Sequence, residues 1–398
     1  MPQERRHLAR SCEITCTGLP FHLCAMSLYP CQQNEDAKVI LANAVQHVGQ
    51  SVKVWLGAAD LESDAKARKR VLRRGTTSLT PLSFAISYHY SALEHIPNSV
   101  RLWKETVNLE TSPADARTLL SRAVEVIPLS VELWLALARL ETPENAKAVL
   151  NKARKAVPTS HEIWIAAGRL IEQEAYATDT SEEKRAEELE RVDKTLVAAV
   201  RALRAHGVLL TREQWLKEAE RCEAEGAPRT CEAIVTATVA MDVEEEDRLA
   251  TWLGDAEAAE SRGRVGTARA VLAYALRVFP DRRDLWRRAA DLEKTHGTRE
   301  SLDNLLARAV ECCPQAEVLW LMWAKEKWLG GDVPVAREVL ERAFVKNSES
   351  EQIWLAAVKL EAENGELAVA RELLVRARTV ADTERVRLHL ILTVQAHL

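Results

Sequence analysis

Tryptophan recurs at a nearly constant interval along this chain, and that interval is the strongest constraint on its fold. Trp103, Trp134 and Trp164 lie 31 and 30 residues apart, and positions 252, 286, 320 and 354 follow one another every 34 residues. A period of this length is typical of helical solenoids, in which each unit buries its apolar face only by stacking on its neighbours. The tryptophans that mark the units, and that we expect in the core, are Trp55, Trp103, Trp134, Trp164, Trp215, Trp252, Trp286, Trp320 and Trp354.

A second pattern lies between the tryptophans and predicts a helix that we call helix B. Ala116, Leu120 and Ala123 occupy relative positions 0, +4 and +7, which define one face of an α-helix, and Pro128 at +12 marks its end. The tryptophan of the next unit follows six residues after the proline and belongs to the next helix, which we call helix A. The first three positions recur from Ala37, Ala146, Ala268, Leu302, Ala336 and Ala370, and the proline at +12 recurs as Pro158, Pro280 and Pro314.

Helix A carries a Leu-Glu pair six and seven residues after its tryptophan in five of the units. The glutamate lies on the tryptophan face of the helix, where a half-buried carboxylate needs a hydrogen-bond donor. We therefore predict ion pairs between these glutamates and arginines of a helix B, with Arg122, Arg308 and Arg376 as candidates of suitable phase. The glutamates are Glu62, Glu110, Glu141, Glu293 and Glu361.

These patterns predict an all-α fold, a right-handed α-solenoid of about nine helical hairpins over residues 35–398. Two segments depart from the period. Removing residues 75–91 restores the tryptophan interval to 31, so we predict that they are an insert that interrupts a helix B and is poorly ordered. Residues 176–210 carry a charged helical run that lengthens one interval, and they predict a longer, solvated helix pair.

Residues 1–34 match no repeat, and we expect them to form an atypical, disordered leader. They hold four of the eight cysteines, whose gaps do not match the paired knuckles of a structural zinc site, so a zinc centre there is the less favoured alternative. The low cysteine content favours a reducing compartment. The apolar part of the leader is broken by Pro20 and His22, which disfavours a signal peptide, and no segment is apolar enough to span a membrane.

The charge balance limits how the chain can bind nucleic acid. With 54 basic and 59 acidic residues the net charge is −5, so the molecule as a whole does not attract a phosphate backbone. Two local basic clusters offer phosphate contacts, but nearby acids make a solvated helix face the favoured interpretation of both. Their basic residues are Arg68, Lys69, Arg70, Arg73, Arg74, Arg282, Arg283, Arg287 and Arg288.

Motifs for catalysis are missing from the sequence. It contains no GxGxxG, GxxxxGK[ST], GxSxG or HExxH, and its ten histidines have no partner at metal-ligand spacing. We therefore expect no catalytic residue, no cofactor, no metal ion and no small-molecule substrate. The sequence favours binding over catalysis.

The repeat unit resembles a known type. Tryptophan with small residues at +3 and +4, Leu-Glu at +6 and +7, and an A-R-x-x-L-x-R-A helix that ends in proline is similar to the half-a-TPR (HAT) repeat, a TPR-like unit of RNA-processing scaffolds. Longer stretches at residues 133–154, 244–252, 296–302 and 316–340 resemble the pre-mRNA-processing factor 6 family of the spliceosomal tri-snRNP.

This resemblance implies a nuclear, non-catalytic scaffold that bridges small nuclear ribonucleoproteins during tri-snRNP assembly. Its implied partners are spliceosomal snRNP proteins, with small nuclear RNA contacted through local basic patches and with no membrane partner. The alternative is another HAT-repeat RNA-processing adaptor, either a crooked-neck-type splicing factor or an mRNA 3′-end-processing scaffold. Because members of the family carry an N-terminal domain and further repeats, the resemblance also implies a partial chain, from an incomplete or alternatively spliced product.

Overall fold

A computed structural model describes residues 47–62, 92–177 and 182–380, together with residues 37, 40, 41, 44, 45, 68 and 71. Every regular element within these residues is an α-helix, which confirms the predicted all-α fold. The helices are α1 (Val52–Asp60), α2 (Ala92–His95), α3 (Val100–Asn108), α4 (Pro113–Val126), α5 (Val131–Leu140), α6 (Pro143–Ala156), α7 (His161–Ala177), α8 (Glu182–Ala205), α9 (Arg212–Ala224), α10 (Pro228–Thr238), α11 (Arg248–Ser261), α12 (Val265–Val278), α13 (Arg283–His296), α14 (Arg299–Cys312), α15 (Glu317–Leu329), α16 (Val333–Lys346), α17 (Glu351–Glu363) and α18 (Leu367–Val380).

The odd-numbered helices carry the repeat tryptophans and are helices A, and the even-numbered ones are helices B. The described residues form two compact units, the first from residues up to 177 with 201–208, the second from 182–200 and 209–380. Within the first unit, helices α3 to α6 each pack against the next helix of the chain. In the second unit the pairs α9–α10, α11–α12, α13–α14, α15–α16 and α17–α18 pack as hairpins. Consecutive helices A, such as α15 and α17, also pack together, which is the stacking expected of solenoid repeats.

Four helices B end in the same backbone conformation. The residue that closes each one precedes a proline and has φ between −123° and −130° and ψ between 67° and 75°. These residues are Ile127, Val157, Phe279 and Cys313. Proline disfavours helical geometry in the residue before it, so the helix stops there. Asn347 closes α16 at φ −134° and ψ 57° although Ser348 follows it, so the turn also forms without proline.

The indole of the repeat tryptophan closes this turn. Trp134 Nε1 donates a hydrogen bond to the Pro128 carbonyl, six residues earlier, at 2.8 Å. The buried indole N–H needs an acceptor, and the peptide carbonyl just beyond helix B lies within its reach. This bond is the physical cause of the six-residue interval in the sequence. The same bond joins Trp55 to Gly49, Trp103 to Pro97, Trp286 to Pro280, Trp320 to Pro314 and Trp354 to Ser348, at 2.7–3.0 Å.

In the second unit, two of these carbonyls also connect neighbouring repeats. The Pro280 carbonyl accepts a hydrogen bond from Cys313 Sγ at 3.4 Å, and the Pro314 carbonyl accepts one from Asn347 Nδ2 at 2.8 Å. Cys313 and Asn347 hold the same position in successive repeats, at the end of helix B. A polar side chain at this position therefore links its own turn to the turn of the preceding repeat.

Three predicted segments depart from the regular repeat. The predicted leader, residues 1–34, and the predicted insert, residues 75–91, lie outside the described residues. The predicted longer pair falls on the end of α7 and on α8, which contain 17 and 24 residues. None of the described helices has the length and apolar character of a membrane-spanning segment.

Candidate partner-binding surface

Most of the tryptophans that mark the repeat lie in the core. Eight of the nine have at most 9% of their surface exposed, and Trp55, Trp252 and Trp286 are at 0 to 2%. Trp164 is the exception, since it is only half-buried and the guanidinium of Arg154 lies 4.5 Å from its ring centroid. Burial of the other indoles removes them from any stacking surface for single-stranded nucleic acid.

The glutamates of helix A are held at the junction between one hairpin and the next. Glu293 and Glu361 are buried, at 7% and 5% exposure, whereas Glu62, Glu110 and Glu141 are half-buried. Both oxygens of each buried carboxylate contact a guanidinium. Arg269 contacts Glu293 through Nε and Nη2. Arg337 forms the same bidentate contact with Glu361, in which Nε and Nη2 each lie 2.7 Å from a carboxylate oxygen.

The partner arginine lies 24 residues before the glutamate, in the preceding helix B. Arg117 and Glu141 occupy the same two positions, with 3.8 Å between nitrogen and oxygen. The predicted ion pair with an arginine of a helix B is therefore correct for Glu141, Glu293 and Glu361. The predicted partners Arg122, Arg308 and Arg376 are wrong, because the contacting arginine stands at position +1 of helix B and they stand at +6.

One repeat of the second unit carries this pair with its charges exchanged. Asp303 of α14 occupies the arginine position, and Lys327 of α15 occupies the glutamate position, with 2.9 Å between Nζ and Oδ1. The same Asp303 oxygen accepts a hydrogen bond from Trp323 Nε1 at 2.6 Å. The position pair is thus used for opposite charges in either order, which identifies it as a structural contact between hairpins.

The environment of Glu293 favours its ionised form. Burial raises the pKa of this carboxyl, but hydrogen bonds from Arg269 and Ser301 and the charge of Arg269 outweigh burial, so the pKa lies below its ordinary value. Ser301 Oγ donates to Glu293 Oε2 at 2.7 Å. Gly297 leaves room for this carboxylate, since a Cβ there would lie 2.0 Å from Glu293 Oε2.

A second carboxylate of the second unit caps a helix of the next hairpin. Glu223 of α9 accepts hydrogen bonds from the backbone N–H groups of Gly266 and Thr267, both at 2.8 Å, and from Thr267 Oγ1 at 2.7 Å. These donors lie in the first turn of α12, whose N-cap Arg264 forms no side-chain cap. A negative charge at a helix N-terminus satisfies open N–H groups and the helix dipole, so Glu223 ties two hairpins together.

Ion pairs also connect consecutive helices A of the second unit. Arg212 of α9 contacts Asp255 of α11, Arg288 of α13 contacts Glu260 of α11 at 2.5 Å, and Lys294 of α13 contacts Glu326 of α15 at 2.7 Å. Burial raises the pKa of Asp255 although Arg212 lowers it. These three cations therefore hold consecutive helices A together.

The basic clusters singled out in the sequence are only partly accessible. Arg288 belongs to the inter-helix pair with Glu260, whereas Arg283 and Arg287 have side chains that are 75% and 65% exposed and lie 3.9 Å from Asp284 and Asp291. Of the earlier cluster, Arg68 donates to the Glu62 carbonyl at 2.6 Å, and the remaining members lie outside the described residues. Arg283 and Arg287 of the later cluster are therefore exposed, but each has an acidic side chain beside it.

The described residues hold no arrangement typical of a reaction centre. No group of three or more His, Cys, Asp and Glu residues among them is placed to bind a metal ion. Their cysteines are free thiols, with Cys222, Cys231 and Cys313 buried and Cys312 exposed. Burial raises the pKa of the Cys313 thiol, with the neighbouring Cys312 and Asp281 adding to the shift, and this disfavours a reactive thiolate.

Two known proteins with similar sequences are named for roles in RNA processing. The chain is 46% identical over 294 residues to pre-mRNA-splicing factor prp1 of Schizosaccharomyces pombe, which is 74% of this chain and 29% of that protein. It is 51% identical over 259 residues to pre-mRNA-processing factor 6 of Homo sapiens, which is 65% of this chain and 24% of that protein. A shorter match of 60 residues at 49% identity is to Protein STABILIZED1 of Arabidopsis thaliana, 15% of this chain and 6% of that protein.

The chain therefore spans less than a third of the length of these relatives. No protein-family model matches it. The identity of 46% to 51% extends over more than 250 residues in the first two relatives, far more than a shared repeat consensus of about 34 residues provides.

Proposed function

Because this chain belongs to the pre-mRNA-processing factor 6 family, we propose that it acts in pre-mRNA splicing, in the nucleus, as a non-catalytic scaffold. Its helical-repeat surfaces bridge small nuclear ribonucleoproteins during assembly of the tri-snRNP, and its partners are spliceosomal snRNP proteins. The observation that carries this proposal is the identity of 46% to 51% with proteins named as a pre-mRNA-splicing factor and a pre-mRNA-processing factor.

The described architecture supports a binding role. Its buried ionic groups, such as Glu293 with Arg269 and Glu223 with the first turn of α12, are fully used in holding hairpins together. A catalytic group needs a free face toward a substrate, and these groups have none. Stacked repeats instead present extended side-chain surfaces, which suit large protein partners.

A second candidate function is that of another HAT-repeat adaptor, such as a crooked-neck-type splicing factor or an mRNA 3′-end-processing scaffold. The repeat pattern alone favours this function as much as the first, because Trp134 and Glu141 stabilise the fold and do not identify a partner. The long matches to the first two relatives favour the splicing scaffold.

The test is affinity purification of the tagged full chain from nuclear extract, followed by identification of the captured proteins. We expect enrichment of tri-snRNP proteins over the tag alone. The variant Trp286→Ala is the matched control, because it removes a fully buried ring that closes a repeat turn and should lose the captured set. Enrichment of cleavage and polyadenylation proteins would support the second candidate.

Two results would contradict the proposal. The first is capture of neither set by a chain whose circular dichroism and melting show a folded helical protein. The second is hydrolysis of ATP or cleavage of RNA at a rate that follows the purified chain through two orthogonal columns, since this would show turnover where we propose binding only.

A further inference from the structure

Three successive helices B of the second unit, α14, α16 and α18, each present one cation at the same position of the repeat. These cations are Arg308 in α14, Arg342 in α16 and Arg376 in α18, at position +6 of the register and 34 residues apart. All three are exposed. The first unit repeats the feature with Arg122 and Lys152, which are exposed as well. Equivalent positions of stacked repeats lie side by side, so we call Arg308, Arg342 and Arg376 the cationic row.

The cationic row differs in its partners from the cations that join helices A of the unit. Arg288 and Lys294 are engaged by acids of neighbouring helices A. By contrast, Arg308 and Arg342 form no ion pair with any residue that the structure describes. Arg376 contacts only Glu372 of its own helix, and both side chains are more than 60% exposed. The row therefore keeps charges that the stacking of the repeats does not use.

The central member of the row is held in place by aromatic rings. The guanidinium carbon of Arg342 lies 5.7 Å from the centroid of the Trp320 ring and 5.5 Å from that of Trp323. Such cation–π contacts restrict the side chain and leave its N–H donors available to a carboxylate. A guanidinium fixed in this way loses less conformational freedom when it binds.

Exposed apolar side chains accompany the row. Val345, one turn beyond Arg342 on α16, is 80% exposed, and Val375, beside Arg376 on α18, is 56% exposed. Two acids of α16, Glu338 and Glu341, are also exposed. A strip that mixes isolated cations with valines and acids suits a polypeptide with alternating side-chain types. A phosphate backbone has no apolar groups to place against the valines, so it matches this surface less well than a polypeptide does.

We propose that the cationic row docks an acidic, extended segment of a protein partner, an inference that rests on the scaffold function proposed above. Helices A of successive repeats pack together, as α15 and α17 do, and packed helices lie about 10 Å apart, so the row presents about one positive charge for each 10 Å of the stack. An extended polyproline II segment advances about 3.1 Å per residue with three residues per turn, which places every third side chain on one face at a similar interval. The segment therefore carries Asp or Glu at every third residue, each facing one arginine, with apolar residues beside the valines.

The first experiment measures binding of a labelled peptide to the full chain by fluorescence anisotropy. The probe is a ten-residue peptide with Glu at every third position and Ala, Pro and Leu between, compared with the same peptide carrying Gln in place of Glu. We expect the Glu peptide to bind more tightly and to weaken as salt rises. The triple variant Arg308→Gln, Arg342→Gln and Arg376→Gln should bind it about tenfold more weakly.

Two further variants make the result specific. The triple variant Arg283→Gln, Arg287→Gln and Lys325→Gln makes the same change of charge at exposed positions on helices A, and it should bind within about twofold of the unmodified chain. The double variant Arg308→Gln and Arg376→Gln leaves the Arg342 contact with the tryptophans intact, so a loss of binding in it cannot come from disturbed ring packing. Equal loss in the helix A variant would overturn the proposal, because binding would then follow net charge alone.

Two more measurements are needed. One distinguishes an RNA ligand from an acidic peptide, and the other distinguishes failure of the docking role from failure of the scaffold function. A single-stranded RNA oligonucleotide of ten nucleotides that binds more tightly than the peptide, and that loses binding in the row variant, would overturn the assignment to an acidic peptide. In nuclear extract, failure of the unmodified chain to capture splicing proteins would contradict the scaffold function. Capture of the same set at the same level by the row variant would contradict the docking role of the row alone.

Discussion

Replacing Glu293 with glutamine tests whether the ionic junction between hairpins stabilises the stack. The carboxylate of Glu293 is 8% exposed and accepts hydrogen bonds from Arg269 and Ser301. Glutamine keeps the shape and one acceptor for Ser301, but it removes the charge and turns an N–H₂ group toward the guanidinium. The variant therefore isolates the charge-assisted contact with Arg269 without opening a cavity.

The size of the effect follows from how much of the pair is buried. Hydrogen bonds to charged groups contribute roughly 1.5–3 kcal/mol where both partners are shielded from water. The Arg269 side chain is 48% exposed, so solvent screens its charge and rehydrates it when the partner is lost. We expect the free energy of local unfolding to fall by about 1–2 kcal/mol at pH 7.

Native-state hydrogen exchange across α12, α13 and α14 measures this loss, since neighbouring repeats feel a local change most. The matched control is Glu190→Gln, which breaks an exposed pair with Lys194 whose side chains are 62% and 69% exposed. We expect the control to change stability by less than about 0.5 kcal/mol. Equal exchange in the unmodified chain and the Glu293 variant at pH 7 would refute the argument that this junction is stabilising.

The pH dependence supplies an independent check on the same contact. The pKa of Glu293 is lower in the folded chain than in the unfolded chain, because the contacts with Arg269 and Ser301 outweigh its burial. A lowered folded pKa gives a stabilisation that is complete above the ordinary glutamate value of about 4.3 and disappears as the pH falls through the folded pKa. The difference between the unmodified chain and Glu293→Gln should therefore be constant from pH 6 to 8 and shrink below about pH 4. A difference that persists unchanged at pH 3 would show that it does not arise from the charge.

Three other changes test other parts of the fold. Trp134→Ala should lower local stability by about 3–5 kcal/mol and raise hydrogen exchange in residues 100–170 with little change beyond residue 280, whereas loss along the whole chain would contradict a solenoid. Gly266→Ala should speed exchange in the first turn of α12, because its Cβ would lie 3.0 Å from the Glu223 carboxyl carbon; unchanged exchange would contradict the cap. Deleting residues 75–91 should raise the melting temperature, and a lower melting temperature would show that the segment belongs to the fold.

The alternation of helices A and B could be predicted because its causes are local. Alanine and leucine at helical spacing, and a proline that stops four of the helices B, require no knowledge of neighbouring repeats. The fixed distance of six residues from Pro128 to Trp134 was visible in the sequence as a regularity. Its cause, the hydrogen bond from indole to carbonyl, was not visible, because it depends on how the chain turns between the two residues.

The identity of the paired arginine could not be derived from the sequence for a different reason. A helix B can offer two arginines, such as Arg117 at +1 and Arg122 at +6 of α4, and five residues of α-helix separate their directions by about 140°. Which of them faces the next helix A depends on the tilt between two helices, and residue spacing within one helix carries no information about it. The structure turns position +1 toward the junction and position +6 toward solvent.

The exchanged pair in the second unit shows how a repetitive stack can still fix its own order. Arg269 faces Glu293, Asp303 faces Lys327, and Arg337 faces Glu361, so the sign of the charge alternates along the unit. A stack that skipped one hairpin would place Arg269 beside Lys327 and Asp303 beside Glu361, which sets like charges at a buried junction. Like charges in such a place cost more than the correct pairs gain, because neither can be neutralised by its new neighbour. The alternation therefore disfavours the errors of order to which identical repeats are prone, while the tryptophan turns, which repeat the same hydrogen bond at Trp286, Trp320 and Trp354, supply stability without distinguishing one neighbour from another.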